Sequence, residues 1–337
     1  MSLSEHPQIS YQSASYILQR CYMSRIVLSG SVGPGGDNHE ADIGIVRDRL
    51  RQLGFSWIGG TGGGTARHFV RAIKLFQAIT TGETKFVDRN HSGRISVGRG
   101  THRWLAAVNA PRWIQIMGHR EIGWSTTEMT APLTEAAAGG TPYLLHNGGW
   151  GTSWIVDMLN AAGRDYIRRV RDTYFPPDLR PPVPWNDRNP NPGPFTPLAW
   201  DRISMHRDPM PPMWVRDCAP AQGGRADYHG SHETGLDVDM RLPLLDSSNG
   251  ATATNVPWRY LAGRSARQQH FNRTAARAQL ESLVAQSVVQ VIGFDDDTAA
   301  TAPDKLHRIR KVRPWANHKD HFHVRIQPPA RTDGEIA

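Results

Sequence analysis

Cysteine is almost missing from this chain: Cys21 and Cys218 are the two among 337 residues, and they form no CxxC pair. A cysteine-built zinc site is thereby excluded, while two free thiols and a single disulfide both stay open, because spacing in sequence does not give distance in space. Long apolar runs are missing too. Charged residues make up 21% of the chain, and no stretch approaches the roughly 20 apolar residues that a membrane span requires. The N-terminal thirty residues hold no continuous apolar run of secretory-signal length, so no Sec signal peptide is expected. A substrate outside the cytoplasm would then require delivery by a secretion system or by lysis. Basic blocks are also lacking. Thirty-nine Lys and Arg against 31 Asp and Glu give a net charge of +8, which suits a polyanionic partner. The charge is dispersed, however, and without an aromatic–basic motif no nucleic-acid partner is expected.

Glycine and proline are plentiful, at 32 and 24 residues, and the hydrophobic fraction is a modest 39%. This length and balance suit two domains with long loops. Residues 1–39 are Ser/Gly-rich and read as a poorly structured lead-in. Beyond them Ile43, Val46, Leu50 and Leu53 recur at helical spacing, with Gly54 as the stop. A second helix carries Phe69, Ile73, Phe76 and Ile79, and a third, short one carries Trp104, Leu105 and Val108. A compact three-helix module with its own core is thus expected over residues 40–110, followed by an irregular linker over 111–145. Ile155, Leu159, Ala162, Tyr166 and Val170 then share a helix face. PPDLRPPVPWNDRNPNPGPFTP can be neither helix nor central strand, since proline fixes φ and lacks the amide proton; it reads as a loop across a domain surface. Beyond Met213, the runs LDVDM, VVQVIGF and HFHVRI read as strands and AARAQLESLVAQ as a helix. The fold class expected is α+β, with a central, mainly antiparallel sheet in a domain over 146–330.

Histidines gather in two segments, HGSHETGLDVD and NHKDHFHVRI. Strand alternation puts Asp237 and Asp239 on one face of the first, opposite Leu236, Val238 and Met240. In the second, His321, His323 and Arg325 oppose Phe322, Val324 and Ile326. Each segment therefore has an apolar face for a core and a polar face that can aim imidazoles and carboxylates at an ion. Imidazole nitrogens joined to a carboxylate oxygen suit catalytic zinc, which activates water and polarises a carbonyl.

Two resemblances follow. VRDRLRQLGF, VRAIKLFQ and THRWLAAV look like the peptidoglycan-binding domains often fused to wall hydrolases. RDCAPAQGGRADYHGSHETGLDVDM and KVRPWANHKDHFHVRI resemble the two signature segments of the penicillin-insensitive murein endopeptidases, within the wider group of lysostaphin, D-Ala-D-Ala peptidases and sonic hedgehog. GGWGTSWIVDMLN is similar to that family's opening. The resemblance implies Zn2+ held by His232, Asp239 and His323, with His321 as the catalytic proton carrier. It also implies that His229 and His318 are further active-site histidines, His229 being a candidate for a second metal. Asp320 stands where D-Ala-D-Ala carboxypeptidases carry a Glu, but strand alternation is expected to turn it away from His321. Asp295, Asp296 and Asp297 read as a polar turn rather than an auxiliary metal site. The several cysteines of the periplasmic relatives are missing from this sequence, and their signal peptide is not expected in it.

The implied activity is zinc-dependent D,D-endopeptidase cleavage of D-Ala–meso-diaminopimelate crosslinks in peptidoglycan. A carboxypeptidase acting on murein stem peptides and a non-catalytic zinc-containing wall-binding protein stay open beside it. The setting implied is the bacterial periplasm or cell wall, as a phage endolysin or as an antibacterial effector with an immunity protein or secretion component for partner.

Overall fold

The computed structural model describes residues 26–116, 149–174, 213, 215–225, 230–243, 273–297 and 301–332. The proline-rich segment and both His229 and Cys21 lie outside these residues. The first helix, α1 (Glu40–Gln52), buries Ile43, Val46 and Leu50; Glu40 and Asp42 lie in its first turn and Arg49 and Arg51 in its last, matching the helix dipole. Gly54, expected as its stop, has φ +94°, and a Cβ there would stand 2.1 Å from the Trp113 carbonyl oxygen. Helix α2 (Arg67–Thr81) buries Phe69, Ile73, Phe76 and Ile79 as the spacing anticipated, with Ala72 and Leu75 beside them. Helix α3 (Gly100–Ala106) is short. Val108 falls past its end and is 60% exposed, so it is not on the buried face that the sequence pattern suggested.

Residues 26–39 are tied down rather than loose. The buried Asp42 carboxylate accepts the backbone N–H groups of Ser29 (3.1 Å) and Gly30 (2.8 Å). Val32 and Ile95 exchange two backbone hydrogen bonds of 3.0 and 2.7 Å. Residues 113–115, assigned to a linker from sequence, form strand β1 (Trp113–Gln115), antiparallel to β2 (Trp150–Thr152).

Trp113 joins the two halves of the protein. Its ring stacks between Phe55 and Trp150, with centroids 6.0 and 6.4 Å away, and its indole N–H donates to the Ala221 carbonyl at 2.8 Å. The buried apolar side chains accordingly form one continuous cluster, running from Leu28 through the helices to Ile326. The separate cores expected from the sequence are not found among the described residues.

The C-terminal half is mixed α/β. Helix α4 (Ser153–Tyr174) packs on α5 (Arg273–Val284), which leads into a four-stranded sheet. Its strands are β3 (Asp237–Arg241), β4 (Val289–Gly293), β5 (Val312–Arg313) and β6 (His321–Ile326), in the order β3-β6-β4-β5. Neighbours are antiparallel except β4 and β5, which are parallel. Val238, Met240, Phe322, Val324 and Ile326 bury the apolar face, and alternation leaves Asp237, Asp239, His321, His323 and Arg325 on the other.

A shared core predicts one cooperative unfolding transition. In urea, far-UV circular dichroism and tryptophan fluorescence are expected to coincide, and Trp113→Ala should cost about 3–5 kcal/mol. Two separated transitions would show that the halves fold independently.

Candidate metal centre

The pairing of β3 with β6 builds the site. Asp239 lies directly opposite His323, Asp237 opposite Arg325, and Arg241 opposite His321. His232 comes from the loop before β3, where its backbone takes the left-handed φ of +69°. That conformation costs a residue with a Cβ about 1–2 kcal/mol and brings the ring between the two strands. The His232 Nε2 stands 3.1 Å from His323 Nδ1 and 3.1 Å from Asp239 Oδ1, while His323 Nδ1 is 2.9 Å from the same oxygen. The three residues are 1%, 3% and 0% exposed.

These separations fit a metal ion. Ligands bound at 2.0–2.2 Å in a tetrahedron lie roughly 3.3–3.5 Å apart, so the observed triangle needs only a slight opening. Among the described residues it is the one group of His, Cys, Asp or Glu able to hold a metal.

The surroundings set the charge. Burial raises the Asp239 carboxyl, but the charge of His232 and hydrogen bonds from His232 and His323 outweigh it and hold the group well below the usual range. Asp237 is likewise pushed up by burial and pulled far down by hydrogen bonds from His323 and Arg325. Burial lowers His323, yet hydrogen bonds to Asp237 and Asp239 and their charges raise it to about 9. Sequence pattern placed Asp237 on the correct face without a role. In the structure its carboxylate accepts two hydrogen bonds from Arg325 (2.8 and 2.9 Å) and lies 3.3 Å from His323 Nε2, so it fixes the ring that offers Nδ1 to the site. The Arg325 guanidinium in turn lies over the Trp315 ring, 5.4 Å from its centroid. Trp315 fits there because Gly293 has no side chain: a Cβ would lie 2.4 Å from the ring.

His321 stands on the same face, its Nε2 3.5 Å from Asp239 Oδ2. Its Nδ1 is 3.0 Å from Asp320 Oδ1, so Asp320 is turned toward His321 rather than away. Strand alternation does not extend to Asp320, which precedes the strand in the bend where β6 begins. Arg216 approaches the other Asp320 oxygen at 3.5 Å. His318 joins the group, its ring 4.8 Å from that of His321 and 5.3 Å from that of His323. Burial, with the neighbouring imidazoles, lowers its pKa below the ordinary imidazole value. The aspartates after β4 are ion-paired: Asp296 with Arg273 at 2.8 Å, and Asp295 and Asp297 with Lys319 at 3.7 and 3.4 Å. Cys218 is a buried free thiol.

Fold and site together define a mixed α/β protein with a buried candidate metal centre of two histidines and one aspartate. Comparison with known proteins narrows this. Residues 202–334 match the family of penicillin-insensitive murein endopeptidases, and all three candidate ligands fall within them. Proteins of that name are similar to part of this chain. That of Haemophilus influenzae is 32% identical over 130 residues, covering 36% of this chain and 45% of the relative. Those of Escherichia coli O9:H4 and O139:H28 are 33% and 27% identical over 143 and 139 residues, each covering 36% of this chain and 47% of the relative. The C-terminal part of this chain is therefore similar to the penicillin-insensitive murein endopeptidases. The chain spans about half the length of the curated relatives it matches.

A bound metal must displace the proton that His323 shares with Asp239, since a ligand nitrogen has to be free of hydrogen. Because His323 is held protonated up to about pH 9, the affinity for a divalent ion should rise by about tenfold per pH unit below that value and level off above it. Chelator competition across pH measures this. A flat profile between pH 6 and 8 would show that no such proton is released.

Proposed function

We propose that this protein is a zinc-dependent peptidoglycan hydrolase, a D,D-endopeptidase that cleaves D-Ala–meso-diaminopimelate crosslinks. The observation that carries the reading is the buried triangle of His232, Asp239 and His323 with His321 on the same open face, inside the segment similar to murein endopeptidases. Two imidazoles and one carboxylate are a catalytic zinc set with one position open, unlike the closed sets of structural sites. When bound, zinc supplies a Lewis acid for the scissile carbonyl.

The chain's own residues do the rest. Asp320 accepts the His321 Nδ1–H and so leaves Nε2 beside the site to take a proton from the attacking water and pass it to the leaving amine. His318, and His229 beyond the described residues, are proposed as further active-site histidines that contact substrate. The His323 ring is kept in place by Asp237, so that binding a ligand to Nδ1 does not rotate it. Residues 40–110 are proposed to bind the wall, and the net charge of +8 supports attraction to acidic wall polymers. The protein is proposed to act in the periplasm or wall as an endolysin or as an antibacterial effector, with an immunity protein or secretion component as partner in the latter setting. No helix among the described residues is long and apolar enough to cross a membrane.

Purified murein sacculi provide the test. Digestion is expected to convert crosslinked muropeptide dimers to monomers with glycan strands intact; new reducing ends would refute a peptidase. His321→Ala should retain the metal and lose 10²–10⁴-fold in turnover, the usual size of a proton-transfer contribution. Asp320→Ala should also retain the metal and lose less. Loss of metal from His321→Ala would make His321 a ligand instead.

A further inference from the structure

Glu233 follows the candidate ligand His232 and reaches across to the N-terminal helical region. Its carboxylate Oε2 accepts the backbone N–H of Phe86 at 2.7 Å, and its own backbone N–H donates to the Thr84 carbonyl at 3.2 Å. Its carbonyl accepts the N–H of Gly224 at 2.8 Å. Thr84–Phe86 is the stretch that leaves α2, and α2 reinforces the contact. Arg71 donates to the Gly223 carbonyl at 3.1 Å and lies over the Phe86 ring at 4.9 Å. On the far side of the loop, the Thr152 N–H and hydroxyl both donate to the Gly235 carbonyl, at 3.1 and 3.0 Å. His232, in its left-handed conformation, directly precedes the first of these anchors. A strained backbone of this kind persists where its surroundings over-determine it.

We propose that Glu233 is a positioning residue for the metal centre: by tying the loop to Thr84–Phe86 it holds His232 in the left-handed conformation that brings Nε2 to Asp239 and His323. The inference rests on the metal-centre reading above. It gives the N-terminal region a second task beyond any wall binding, as part of the scaffold on which the centre is assembled. Removing the carboxylate leaves the Phe86 N–H without its acceptor and the loop tied to this stretch by the Glu233 N–H to Thr84 alone, so His232 can relax toward the ordinary φ and leave the triangle.

The test uses the full chain loaded with zinc, with affinity measured by chelator competition, and with Co2+ absorption reporting coordination geometry. Glu233→Ala should weaken zinc binding by about 10- to 100-fold, the range for groups that orient ligands, and should alter the Co2+ spectrum. Glu233→Gln keeps an oxygen for the Phe86 N–H and should restore most of the affinity. Arg71→Ala, which loosens the same contact without touching the loop, should weaken zinc binding in the same direction and serves if Glu233→Ala does not fold. Melting of the metal-free proteins is followed alongside. Variants that melt earlier yet bind zinc like the parent would overturn the proposal and leave Glu233 with a merely structural role. A parent protein that takes up no zinc would overturn the metal-centre reading and this one with it, whereas normal parent affinity with unchanged variants overturns this one alone.

Discussion

Asp239 and His323 face each other across the β3–β6 pair, and the site rests on that one register. Side chains alternate with a period of two, so a slip of one residue would send Asp239 into the core and Met240 toward the open face. The opposite face prevents it. Val238, Met240, Phe322 and Val324 are almost wholly buried, and a slip of one residue in either strand would turn that strand's apolar side chains out of the core. Hydrophobic burial on one side of the sheet thus fixes polar geometry on the other, with rigid strands holding the donors in place.

Charge around the centre is balanced in layers. The Asp237 and Asp239 carboxylates offset the Arg325 guanidinium and a protonated His323, so the metal-free site carries no large uncompensated charge in a buried place. An incoming dication replaces a proton rather than entering a neutral cavity. Asp237 serves both conditions, since its carboxylate lies 3.3 Å from His323 Nε2, on the side of the ring away from Nδ1. Arg325 and Trp315 restrain that carboxylate in turn, and the bare backbone of Gly293 makes the room.

The part of the chain similar to murein endopeptidases contains every candidate ligand but not everything that holds the ligands in place. Trp113 stacks between Phe55 and Trp150, Thr152 anchors the loop after His232, and Thr84 and Phe86 hold Glu233. All of these lie before residue 202, where the family match begins. The helical region and the sheet therefore share a core and a loop, an arrangement closer to a single folding unit than to a tether with an enzyme attached.

Much of this was legible in the sequence. Apolar spacing marked α1, α2, α4 and α5, and alternation marked β3 and β6 together with the polar face that carries Asp239, His321 and His323. These are local regularities, set by the periods of helix and strand, and a sequence displays them directly. The ligand triad itself was read from resemblance to a family. Other features were decided by tertiary structure alone. Asp320 meets His321 because the chain bends just before β6, where alternation does not apply. Residues 26–39 are ordered by Asp42 and Ile95, and Trp113 is drawn from an expected linker into the core. Asp237 gains its role only once Arg325, 88 positions away, is placed opposite it. His232 adopts its unusual φ within a loop that is fastened by residues as distant along the chain as Thr84 and Phe86. Spacing along a chain encodes which face a side chain takes, but not which distant backbone group will stand in front of it, and that depends on how the whole core closes.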